Sequence, residues 1–183
     1  PPRSTLFPYT TLFRSVLEFS SGAKWRNTQP IPVENFTWTD LVTSGETEMG
    51  RAFSMVAEQL KMPPMPERAL PPVLVLVTDG RPTDDYKSGL NQIMSLPWGK
   101  KAVRIAIGIG GDCDFDVLEE FIGNSEIKPL QANNPEALTR YIKWASTAVV
   151  KDVSAPPSQP RGQGSVNVQI GQIPAASTDP DVW

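Results

Sequence analysis

Two stretches constrain this chain more than any other feature: the run "VLVLVT" in "PPVLVLVTDG" and the run "AVRIAIGIG". Both are dominated by β-branched residues and leucine. They lack the alternation of a strand with one wet face, and they are too short for separate helices, so each reads as a strand buried on both faces. Such strands need helices above and below their sheet, and the intervening segments supply them. "EMGRAFSMVAEQLKM" places Met49, Ala52, Phe53, Val56 and Leu60 on one helical face before "PPMPER" stops it. A helix over 84–96 turns Tyr86, Leu90, Ile93 and Met94 inward, and another begins near Asp114 with Val117, Leu118, Phe121 and Ile122 on its apolar side. After a short strand in "IKPLQA", Asn134 as N-cap and Pro135 at the first helical position open a helix that points Leu138, Tyr141, Ile142, Ala145 and Val149 at the core. Strands alternating with helices predict an α/β fold, a Rossmann-like three-layer sandwich on a mainly parallel sheet, with "VLVLVT" at its centre. Upstream, "VLEFSSGAKWRNTQPIPV" reads as a hairpin that turns at Ser20, Ser21 and Gly22.

The two ends of the chain read differently. Residues 1–15, "PPRSTLFPYTTLFRS", repeat a Thr-Leu-Phe unit and carry no helix or strand period. Back-translated, they match the standard adapter ligated to fragments in short-read sequencing libraries. They are therefore read as a scar outside the native fold and expected to be irregular, since Pro8 interrupts their strand-like stretch. The domain is expected to be joined in its middle at Val16 and to run over 16–151. Residues 152–183 are rich in Pro, Ser, Gln and Gly and read as a disordered tail. Within it only "SVNVQIGQI" alternates like a strand.

Composition removes several function classes. A formal charge of -3 gives no basic footprint for nucleic acid or an anionic membrane. No run is apolar for the length of a bilayer, and a cytoplasmic location is the expectation. With Cys113 as the single cysteine and no histidine, neither a disulfide nor a thiolate zinc cluster is available, so any metal is a hard, oxygen-liganded one. Acids on both sides of Cys113 are expected to raise its thiol pKa and keep it from acting as a nucleophile. Trp25, Trp38 and Trp98 read as packing under loops.

In parallel α/β sheets ligands bind at the carboxyl ends of the strands. Two residues fall there: Asp79, which ends "VLVLVTDG", and Thr47, in the loop "TSGETEMGRA" that opens a helix. Taken alone, one is a common Asp-Gly turn and the other a common helix cap. Together, "GETEMGRA" and "VTDG", followed by "TDGRPTDD", "IAIGIGGDCD" with "VLEEF", and "NNPEALTRYIKWAS", resemble the von Willebrand factor type A domain, nearest its bacterial TerY-like tellurium-resistance branch. The resemblance covers about Val16 to Val153, although Gly45 lies one residue before the family's usual position.

That resemblance implies a metal-ion-dependent adhesion site in which Thr47 and Asp79 are metal ligands for Mg2+ or another hard divalent cation, with a protein partner supplying a carboxylate to the metal. It implies an interaction module and not an enzyme, with a link to tellurite resistance. The family's Asp-x-Ser-x-Ser element does not occur before Thr47, which implies that the first strand and first helix are missing and that the chain alone aggregates or stays partly unfolded. A Mg2+-dependent phosphohydrolase is the alternative, on Asp79, Asp84 and Asp85. Its usual second carboxylate would stand at position 81, which is Arg81, and Asp84 and Asp85 read as cap and first-turn acids of the following helix. "GIGGD" lacks the spacing and the lysine of a phosphate loop and reads as a tight turn.

Overall fold

The computed structural model describes residues 12–27, 29–37 and 45–149. Trp38, the side chain of Val149, residues 1–11 of the adapter-like segment and the tail over 152–183 with its "SVNVQIGQI" lie outside the described residues. On the N-terminal side, β1 (Phe13–Arg14), β2 (Leu17–Ser20), β3 (Gly22–Trp25) and β4 (Ile31–Pro32) form two small antiparallel ladders, β1 with β4 and β2 with β3. The β2–β3 hairpin turns where the sequence placed it, on Gly22 at a φ of 108° that other residues rarely adopt. The expectation that residues up to Ser15 are irregular or poorly packed is met in packing but not in regularity at Phe13 and Arg14. Their backbone pairs with Ile31 and Pro32, and the Arg14 guanidinium lies 5.2 Å from the centre of the Phe36 ring. Phe13 itself stays 61% exposed.

The remainder alternates as expected through α1 (Met49–Gln59), β5 (Val73–Thr78), α2 (Tyr86–Ser95), α3 (Pro97–Lys101), β6 (Val103–Ile109), α4 (Phe115–Ile122), β7 (Leu130–Ala132) and α5 (Pro135–Trp144). The three strands of this part form one parallel sheet in the order β5-β6-β7. Side chains of β6 alternate between its faces. Val103, Ile105 and Ile107 pack with Leu130, Ala132 and Tyr141 under α5, while Ala106 joins Phe53, Leu90, Ile93, Leu118 and Phe121 from α1, α2 and α4. The result is helix, sheet, helix. Asp85, Asp114 and Asn134 cap α2, α4 and α5 by accepting from Ser88 N, Val117 N and Ala137 N at 3.1, 3.4 and 2.8 Å, which satisfies donors that a helix leaves open at its start.

Three details depart from the sequence reading. The central strand is β6 and not β5: among the described residues β5 has no neighbour on its other edge, and Val75 is 41% exposed where neither a strand nor a helix covers it. Pro97 opens the short helix α3 where a direct entry into the strand was expected, and it carries Trp98 into the core with Lys101 Nζ 4.9 Å from the ring centre. Finally, β6 buries a charge. Arg104 donates from Nε to Phe121 O at 2.7 Å and from Nη1 to Gly99 O at 3.1 Å. It thereby ties the ends of α4 and α3 to the sheet, and burial draws its pKa below the ordinary value.

Helices α1 and α2 approach closely because glycines meet where they cross. A Cβ on Gly89 would collide with the Gly50 carbonyl, and one on Gly50 with the Asp85 carbonyl. Gly89→Ala is therefore expected to destabilise the chain by about 1–3 kcal/mol through overpacking. Gly111→Ala, at a glycine with open space around it, serves as the control; equal denaturation midpoints for the two variants would contradict the packing account. Arg104→Met retains much of the side chain's bulk but removes the side-chain donor to Phe121 O and leaves Gly99 O only the Ala102 amide at 3.3 Å, and is expected to cost about 1–3 kcal/mol in chemical denaturation.

Candidate functional site

Thr47 sits in the loop before α1, and that loop is held from two sides. On one, the tip of the β2–β3 hairpin takes hydrogen bonds from Glu48 N to Ser20 O at 3.0 Å and from Glu46 N to Ser21 Oγ at 3.0 Å. Gly45, at a φ of 91°, brings the chain against Ser21. On the other side, Thr47 N donates to Thr83 Oγ1 at 3.1 Å, and Thr83 N donates back to Thr47 O at 3.0 Å. The turn after β5 is thus fitted to the loop before α1 through Thr83.

Asp79 follows the last residue of β5 and is exposed at the carboxyl edge of the sheet. Its neighbour Gly80 is what lets the two loops meet, because a Cβ there would lie 3.0 Å from Thr47 Oγ1. The structure therefore brings the Thr47 hydroxyl to the residue beside Asp79, across 32 positions of sequence (79 − 47). Among the described residues, neither the Thr47 hydroxyl nor the Asp79 carboxylate has a hydrogen-bond partner.

The Asp79 charge is felt next door. Cys113 is buried against Thr78 O and Ile109 O, at 3.4 and 3.2 Å from Sγ. Burial pushes its thiol pKa up, and the charges of Asp79 and Asp112 push it further in the same direction. The sequence expectation of an inert thiol agrees in direction, but burial leads, and the acid at Asp79 comes from a neighbouring strand.

Sequence reasoning missed the residues that hold the loops together. Asp84 was read as belonging to the following helix. Its carboxylate instead accepts from Gly50 N at 2.7 Å and Arg51 N at 2.8 Å at the start of α1. Only Asp85 caps α2. The signal available was the pair itself: one helix start needs one capping acid, so the second was spare. Arg81 and Asp85 are exposed, and no group of three or more His, Cys, Asp or Glu arranged to hold a metal occurs among the described residues. No helix among them is long and apolar enough to cross a membrane.

No protein-family model and no curated protein matches the sequence. Solved structures do. The ArnB paralog VWA2 from Sulfolobus acidocaldarius matches with a TM-score of 0.55 at 21% identity over 72% of this chain and 34% of its own. A von Willebrand factor type A structure from Catenulispora acidiphila matches at 0.53 and 17% over 70% and 31%. Proximal thread matrix protein 1 from the mussel byssus, solved with a zinc-occupied MIDAS motif, matches at 0.55 and 22% over 76% and 35%. The chain spans about a third of the length of each of these structures. Its parallel sheet, its helices on both faces and these likenesses together give it the von Willebrand factor type A fold.

Proposed function

We propose that this chain is part of a metal-ion-dependent protein-interaction module, with Thr47 and Asp79 as two of the cation's ligands. The observation that carries the reading is the placement of the free Thr47 hydroxyl against Gly80, beside the free Asp79 carboxylate, at the carboxyl edge of a parallel sheet. A neutral hydroxyl and one carboxylate fit a hard divalent cation in kind. Mg2+ takes oxygen ligands in an octahedral shell and keeps several of its waters, so it is served by few protein oxygens. When bound, the cation would supply an electrophilic point on the surface. The chain's own part is to hold the two oxygens at fixed spacing and leave the remaining directions open.

A carboxylate from a protein partner is the natural completion of such a shell, because the ion is left short of negative charge. The zinc-occupied motif of the mussel protein supports a divalent cation in general; Mg2+ is our choice on ligand chemistry. A non-catalytic role, a cytoplasmic setting, absence of nucleic-acid and membrane partners, and a TerY-like link to tellurite resistance belong to the same reading. They rest on the motif resemblance and, for nucleic acid, on the net charge of -3.

The test is a Mn2+ titration of the full chain followed by NMR. Amides of Thr47 and Gly80 are expected to broaden before all others, and Asp79→Ala is expected to weaken the effect by more than about tenfold, since loss of even an outer-shell partner costs that much. Addition of acetate, as the simplest carboxylate, should then bind only in the presence of the metal. Broadening spread evenly over the surface acids, or unchanged in Asp79→Ala, would refute the site.

A further inference from the structure

We propose that Asp84 is the positioning residue of this site: its carboxylate locks the Thr47 loop to the turn after Asp79 and neutralises the start of α1, so that a cation is tolerated beside that helix end. The proposal rests on the reading of Thr47 and Asp79 as cation ligands. The physical difficulty it resolves is one of sign. The first N–H groups of a helix are unpaired and carry a partial positive charge, which attracts anions and repels cations. Thr47 lies two residues before Met49, the first residue of α1. A cation on its hydroxyl would stand against that positive end.

The nearest local remedy is unused. Glu48, at the N-cap of α1, makes no side-chain capping hydrogen bond. The role passes to Asp84, which reaches across from the loop after β5 and divides its two oxygens between Gly50 N at 2.7 Å and Arg51 N at 2.8 Å. The same turn contributes both Thr83 hydrogen bonds to Thr47, at 3.1 and 3.0 Å. Four hydrogen bonds thus run from residues 83–84 to residues 47–51. They fix the distance from Thr47 to the Asp79–Gly80 step, which is five residues or fewer upstream on the same turn. Gly50 has no side chain to obstruct them, because a Cβ there would meet the Asp85 carbonyl. Asp84 acts on the ligands' scaffold, since each of its two oxygens is directed at an amide of α1.

The experiment compares full-length wild type, Asp84→Asn and Thr83→Val for Mn2+ affinity by NMR broadening at Thr47, and for hydrogen exchange of the Gly50 and Arg51 amides without metal. Asp84→Asn keeps an acceptor but drops the charge; it is expected to weaken Mn2+ by about tenfold, the usual cost of losing an outer-shell partner, and to speed exchange at both amides. Thr83→Val loosens the loop with the charge in place and is expected to lose less. Rescue is part of the design: Asp84→Glu, which keeps the charge on a longer arm, should retain more of the Mn2+ affinity than Asp84→Asn even where exchange at the two amides is equally fast, which a merely structural role would not produce. It also gives the measurement if Asp84→Asn folds poorly. Wild-type Mn2+ affinity in Asp84→Asn, or the same loss in Asp84→Glu as in Asp84→Asn, would overturn the proposal while leaving the site standing. No localised Mn2+ effect in wild type would instead overturn the reading of Thr47 and Asp79, and this proposal with it.

Discussion

The arrangement depends on β6. It is hydrogen-bonded to β5 on one side and β7 on the other, and Val103 to Gly108 are all buried. A strand with no wet face and no free edge dictates its surroundings: every backbone donor and acceptor must be met by another strand, and both rows of side chains must be covered by helices. α5 covers one row, and α1, α2 and α4 cover the other. Arg104 is the charge that β6 admits, and at that depth it donates to two helix-end carbonyls, of which Gly99 O also accepts from Ala102 N.

From β6 outward the order loosens. β5 is paired on one edge only among the described residues, and its Val75 faces no covering element. Yet β5 delivers Asp79, and the turn after it is hydrogen-bonded to the start of α1. The reason is that α1 and α2 cross on glycines. Gly50 and Gly89 allow backbone to approach backbone, so the turn between β5 and α2 lies directly on the start of α1. Thr83 and Asp84 are then within hydrogen-bond reach of Thr47, Gly50 and Arg51. A close helix crossing in the interior thus brings, at the surface, the loop of Thr47 against the Gly80 step beside Asp79. The stacked rings of Phe53 and Phe121, 5.2 Å apart, extend the same contact to α4.

Elements whose signals are local were legible. The β2–β3 hairpin, the helix faces of α1 and α4, and the caps Asp114 and Asn134 follow from periodicity and from the donors that a helix leaves open. The rank of the two apolar strands was not legible. "VLVLVT" and "AVRIAIGIG" are equally apolar, and which of them lies in the middle depends on which neighbours pair with each. Asp84 failed for a similar reason: an acid before a helix reads as that helix's cap, and nothing local shows that another helix start lies nearer to it.

By itself, then, the sequence determined the α/β class, the parallel pairing of its two apolar runs and the placement of Thr47 and Asp79 at the carboxyl edge of the sheet, because each depends on side-chain polarity and short-range spacing. Only the tertiary structure decided that β6 is the central strand, that Gly50, Gly80 and Gly89 are contact points, and that Thr83 and Asp84 clamp one loop to the other. The clamp joins segments more than 30 residues apart, and whether a missing Cβ or a spare carboxylate matters depends on what lies opposite it in space.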